Sequence, residues 1–121
     1  MILGLDIHGV IDKYPDKYAA LAKSVRSNGG KVYVITGQSA TTSLKKALDI
    51  LGIPFDRLIS VQDGLMAAGA PIIAYDEGRP IFRCEDWNSF KGAYCARNHV
   101  DLMFDNSPEY RPYFTTPFFL V

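Results

Sequence analysis

The chain has 121 residues, 48% hydrophobic and 21% charged, a size and composition that suit one globular domain, residues 1–121, with its own core. Thirteen basic and thirteen acidic residues cancel, so there is no strong nucleic-acid signal and no broad field that favours an anionic membrane. No apolar run approaches the roughly 20 residues that span a bilayer, the N-terminus lacks a secretory pattern, and Cys84 and Cys95 form no metal-ligand spacing, so a soluble, cytoplasmic protein with reduced thiols is expected.

Residues 2–7 (ILGLDI) are a short apolar run that reads as a buried strand. Pro15 and Asp16 suit a first helical turn. Tyr18, Leu21, Ala22 and Val25 then recur at helical spacing, and Gly29-Gly30 stops that helix. Residues 31–36 (KVYVIT) are β-branched and aromatic and predict a second strand. Ser39 or Thr41 is placed to cap the next helix, whose apolar face is Leu44, Ala47, Leu48 and Leu51 and which Gly52 ends. A third strand is predicted over 57–61 and a short helix over 63–69. Residues 71–75 and 80–83 flank Asp76-Glu77-Gly78-Arg79 as a β-hairpin, and Pro71 and Pro80 place it at a sheet edge or outside the main sheet. A helix over about 86–98 follows, with Trp87, Phe90, Tyr94 and Cys95 on one face. Residues 101–104 (DLMF) predict a strand ending at Asp105-Asn106. Pro112 limits 108–113 to a short helix, and 118–121 (FFLV) reads as the last strand.

Strands alternating with helices imply an α/β fold: three layers, Rossmann-like, with a mostly parallel sheet, helices on both faces and a small hairpin insertion. Ligands of such sheets sit beyond the carboxyl ends of the strands. Three strand ends there are polar: Asp6 with His8, Thr36 with Gly37, and Asp105 with Asn106. Each has a bland reading. Asp6 alone reads as a polar strand end or cap, Thr36-Gly37 as turn chemistry, and Asp105-Asn106 as an N-cap before Pro108. Their convergence on one crevice favours a functional reading. Asp101 starts its strand and is excluded from that crevice, while Lys45 and Lys46 read as solvated.

Asp6-Ile7-His8-Gly9-Val10 after an apolar strand resembles the first motif of the haloacid dehalogenase (HAD) superfamily, usually Asp-x-Asp-Gly-(Val/Thr). Val34-Ile35-Thr36-Gly37 resembles the second motif, Lys91 is the candidate for the lysine of the third, and Leu102-Met103-Phe104-Asp105-Asn106 resembles the fourth. The resemblance spans positions 6 to 106 in the family's order. It implies Mg²⁺-dependent hydrolysis of a phosphate monoester through an aspartyl-phosphate. Asp6 would be the nucleophile. Asp6, Asp105 and the backbone carbonyl of His8 would hold the metal. Thr36 and Gly37 would hold phosphate oxygens, and Lys91 would balance the negative charge. The competing account of Lys91 is a snorkelling side chain with its stem on the core.

His8 departs from the pattern, because family phosphatases usually carry a second aspartate there. An imidazole can exchange protons near neutrality. Three outcomes stay open: a working acid–base, a phosphoenzyme that turns over slowly, or a catalytically weak or inactive domain that binds a phosphorylated ligand or a protein partner. The stretches after Asp12 and before Lys91 leave room for no large cap, so an open or minimally capped site is expected. A dinucleotide-binding domain is disfavoured because Gly4 and Gly9 do not make G-x-G-x-x-G. A phosphoacceptor receiver domain is disfavoured because only Asp6 lies near the first strand end. Tyr110, Tyr113, Phe114, Phe118 and Phe119 are expected to be mostly core, a homo-oligomer contact being the alternative.

Overall fold

A computed structural model describes all 121 residues. Four of the predicted strands form a parallel sheet with the C-terminal one: β1 (Ile2–Leu5), β2 (Lys31–Thr36), β3 (Arg57–Ser60), β6 (Leu102–Asp105) and β7 (Phe118–Leu120). Their spatial order is β3-β2-β1-β6-β7. The chain therefore winds outward from β1 through β2 to β3, then crosses back to β6 and β7. The reversal falls between β1 and β6, and an α/β sheet opens its ligand crevice at such a switch point.

Four helices cover the two faces: α1 (Pro15–Ser27), α2 (Thr42–Ile50), α3 (Val61–Ala67) and α4 (Cys84–Arg97). Strand alternation decides which residues they bury. Leu3, Leu5, Val32 and Val34 point to one face and pack with Ala19 and Ala22 of α1 and Leu48 of α2. Tyr33, Ile35 and Met103 point to the other and pack with Cys95 of α4. Val61 and Leu65 of α3 form a smaller cluster with Phe82, joined by Trp87 and Phe90 of α4. Each fully buried Leu or Val contributes roughly 1.5–3 kcal/mol, so these clusters hold the strand ends in place. No helix is long and apolar enough to cross a membrane.

The remaining pair, β4 (Ile72–Asp76) and β5 (Arg79–Phe82), is an antiparallel hairpin outside the main sheet, where the two prolines place it. Its turn is Glu77-Gly78 rather than four residues. Both have positive φ, 50° and 80°, the geometry whose twist matches a tight hairpin. Phe82 is buried and stacks on Trp87, with ring centroids 6.3 Å apart.

Several boundaries differ from the sequence reading. The first strand stops at Leu5, and Ile7–Ile11 form a separate wound turn. Asp6 stands between them and takes the Ile7 N–H on Oδ1 at 2.8 Å. Thr41, not Ser39, caps α2, its hydroxyl accepting the Leu44 N–H. Helix α3 begins at Val61, directly after β3, and α4 begins at Cys84. Residues Pro108–Tyr113 are a 3₁₀ turn. None of the five C-terminal aromatics is fully buried, and Tyr113 and Phe119 are exposed. Phe118 and Phe119 lie on the edge strand β7 and Tyr110 and Tyr113 in the 3₁₀ turn, while Phe114 and Phe118 still pack against the core.

Candidate functional site

The wound turn after β1 is built on a glycine. Gly9 has φ +78°, and a Cβ there would collide with the Asn106 amide. Only glycine fits both the backbone and that close approach. The turn is thereby brought against the end of β6. Asp12 closes it, accepting the Gly9 N–H on Oδ1 at 2.7 Å and donating its own N–H to the Ile7 carbonyl at 3.0 Å.

Asp6 and Asp105, 99 positions apart in the chain (105 − 6 = 99), lie at the ends of neighbouring strands. Both are buried, and both reach one ammonium. Lys91 Nζ is 3.1 Å from Asp6 Oδ1 and 2.7 Å from Asp105 Oδ2. Lys91 is 2% exposed, so it does not snorkel to solvent. Its helix position, four residues after Trp87 and four before Cys95, points it at the sheet. Asp105 also accepts the Ser107 N–H on Oδ1 at 3.0 Å. Of the Asp105-Asn106 pair read as a cap before Pro108, Asp105 thus serves the turn and the Asn106 side chain does not.

Two carboxylates and one ammonium are buried together, and burial and their mutual charges set the pKa shifts, burial foremost. Burial pushes the Asp6 carboxyl up to about 6. Lys91 pulls it down, but not by enough, and Asp105 pushes it further up. Burial opposes the charge on Lys91, yet Asp6 and Asp105 outweigh it and hold the ammonium above the usual lysine range. Burial also drives the nearby Cys95 thiol up to about 12, so it is an inert core group.

Thr36 ends β2 beside them and is 1% exposed. Its oxygen accepts the Gln38 N–H at 3.3 Å, which leaves its own O–H to donate to a ligand. Gly37 lies under Trp87, with a Cβ position 2.8 Å from the indole, so a side chain there would displace the ring. The loop that follows is tied down by Asp63 of α3. Asp63 accepts the Ser39 hydroxyl at 2.8 Å and the Ala40 N–H at 2.9 Å, while its own N–H is capped by Ser60 at 3.0 Å. Asp63 was not expected at the site. Nothing in its local sequence points to a loop 23 and 24 residues earlier.

His8 is placed differently from the other candidates. Its side chain is 83% exposed, and Nδ1 lies 3.2 Å from Asp12 Oδ2. Nε2 has no protein partner among the hydrogen bonds of this turn. Asp12, anchored by the Gly9 N–H, lies beside the imidazole, with both side chains open to solvent. This pairing was not among the sequence expectations; the four-residue spacing is the one signal for it.

Asp6, His8, Thr36, Gly37 and Lys91 all line one cleft of about 910 Å³. Asp105 lies beneath Lys91, fully buried. The far wall is the hairpin strand β5, together with Gln62, Trp87 and Asn88. Trp87 Nε1 donates to the Tyr110 hydroxyl at 2.9 Å, and Tyr110 lies with its ring centroid 5.3 Å from Lys91 Nζ. The expected open site thus has one added wall, made by the hairpin.

No set of three His, Cys, Asp or Glu side chains gathers here as a ready-made metal cage. The donor set still fits Mg²⁺, which is commonly held by one or two carboxylates and keeps several waters. Asp6 Oδ2 carries no protein hydrogen bond, each carboxylate oxygen has two lone pairs, and the buried charge of the trio is −1. Comparison with known proteins adds no relative: no family model, no curated protein and no solved structure matches the chain.

Proposed function

We propose that the chain is a HAD-like, Mg²⁺-dependent hydrolase of phosphate monoesters that works through an aspartyl-phosphate on Asp6. One observation carries the reading: Asp6 and Asp105, at the ends of adjacent parallel strands, converge on Lys91 at the floor of a cleft that also holds Thr36 and Gly37. A structural ion pair has no need of a cleft, a hydroxyl free to donate, or a carboxylate oxygen without a partner.

Asp6 and Asp105, with the His8 carbonyl that the family resemblance implies, would hold the metal. When bound, it supplies charge neutralisation for the phosphoryl group. The chain's own residues do the rest. Asp6 Oδ2 attacks phosphorus; the Asp–O–P bond forms as the ester P–O bond breaks. Lys91 keeps Asp6 ionised and offsets charge on the equatorial oxygens. The Thr36 hydroxyl and the Gly37 N–H orient the phosphoryl group, on a loop that Asp63 holds still. His8 protonates the departing oxygen. It then takes a proton from water, whose oxygen bonds to phosphorus and releases Asp6. Asp12, 3.2 Å from the imidazole Nδ1, pairs with the ring when it is protonated.

A second reading rests on His8 itself. Its imidazole stands 83% exposed rather than enclosed, which favours a domain that hydrolyses its aspartyl-phosphate slowly, or that binds a phosphorylated ligand or protein without turnover. One assay separates the two. Hydrolysis of para-nitrophenyl phosphate and a phosphate-ester panel is measured with Mg²⁺ and with chelator, for wild type, Asp6→Asn and His8→Asp. Turnover that needs both Mg²⁺ and Asp6 supports the enzyme. Turnover that appears only in His8→Asp supports the weakened domain. No turnover in any of the three overturns the hydrolase.

A further inference from the structure

The cleft is much larger than a phosphoryl group, and its charges are unevenly spread. Of the 19 residues that line it, Asp6 alone is acidic. Lys91 is already shared between Asp6 and Asp105. The other fixed cation is Arg79, at the start of β5. Its one ionic contact is with Asp76, at 3.7 Å, with both side chains about two-thirds exposed. Such a pair is worth little, so the guanidinium is available to a ligand. The cleft lining also offers amides from Gln62 and Asn88 and apolar surface from Ile81 and Phe82.

The hairpin gives this cation a defined place. Phe82, three residues on, is buried against Trp87, and the Glu77-Gly78 turn sets the register Asp76↔Arg79. Pro80 stiffens the strand between them. Asp6 and Arg79 line the same cleft, and no other acidic residue lines it.

We infer that the cleft selects phosphate monoesters that carry a second anionic group, a carboxylate or a further phosphoryl group, received by Arg79. This rests on the hydrolase reading for the identity of the reacting end. Arginine suits both anions because its planar fork donates two parallel hydrogen bonds. With Arg79 largely exposed the gain is modest, and a preference of a few-fold is expected.

The test uses matched pairs on the wild-type protein with Mg²⁺: 3-phosphoglycerate against glycerol 3-phosphate for the carboxylate, and fructose 1,6-bisphosphate against fructose 6-phosphate for the phosphoryl group. At least one pair is expected to favour the doubly anionic member a few-fold in kcat/KM, and the pair that does so identifies the anion. In Arg79→Gln that ratio should fall to near one, and Arg79→Lys should recover part of it. Equal use of both members in both pairs, or a ratio unchanged in Arg79→Gln, overturns the inference. Para-nitrophenyl phosphate, which has no second anion, tests the hydrolase reading separately. If nothing turns over, the same four ligands are titrated by calorimetry, and the same preference and its loss in Arg79→Gln are read from Kd.

Discussion

Asp6→Asn is expected to make the metal-free protein more stable at neutral pH while abolishing its activity. Asp6 is buried, its Oδ1 lies 3.1 Å from Lys91, and burial carries its pKa from 3.8 to about 6. A folded pKa above the unfolded one means that the folded state binds more protons between those values. Stability contributed by Asp6 is therefore lost as pH rises from about 4 through about 6. Two units at about 1.36 kcal/mol each give a penalty of roughly 3 kcal/mol above pH 6. Asparagine carries no such penalty, and Lys91 keeps Asp105 at 2.7 Å as its partner. The assay is urea unfolding of both proteins in chelator from pH 4 to pH 8. The stability of Asp6→Asn relative to wild type should rise by up to roughly 3 kcal/mol across pH 4–6 and then level off. Adding Mg²⁺ at pH 7 should stabilise wild type, because a ligand of the folded state shifts unfolding by mass action, and should leave Asp6→Asn nearly unmoved. A difference that does not change with pH, or one that falls as pH rises, would refute the claim that the site stores uncompensated negative charge.

Lys91→Met leaves two buried carboxylates without their cation, and a loss of about 3–5 kcal/mol is expected in denaturant unfolding at pH 7. Adding Mg²⁺ should recover part of it. Gly9→Ala forces a side chain to φ +78° and against Asn106; it should cost about 1–3 kcal/mol, and Asn106→Gly in the same chain should return only the part due to the collision. Asp63→Ala frees the 37–40 loop and should raise KM for a phosphate ester several-fold, more than it lowers kcat. Asp12→Asn weakens the pairing of His8 and should lower kcat about tenfold with little change in KM.

The strand ends were legible because three apolar runs stop on polar residues. Asp6, Thr36 and Asp105 could be placed at one end of a parallel sheet from hydrophobic patterning alone. Lys91 was singled out by the family resemblance; its spacing between Trp87 and Cys95 put it on or beside the apolar face but left a snorkelling side chain open, and the buried ammonium decides between them. The sequence said less where partners are distant. Asp63 acts on a loop 23 and 24 residues before it. Arg79 enters the cleft only because Phe82 docks the hairpin on Trp87. The exposure of Phe119 was not legible because hydrophobicity does not say whether a strand is central or at an edge. Helix α4 starts before its predicted position because no serine or threonine marks its cap; an Arg83–Asp86 pair at 2.8 Å spans its first turn instead.

The central claim is that Asp6 becomes phosphorylated. Borohydride reduction of the protein during turnover of a phosphate ester, followed by peptide mass spectrometry, reads this directly. An acyl phosphate at Asp6 is reduced to an alcohol, so the peptide holding residue 6 should carry homoserine in the presence of Mg²⁺ and substrate, and none after chelation. Reduction mapping to another carboxylate, or turnover that continues at the wild-type rate in Asp6→Asn, would contradict the account.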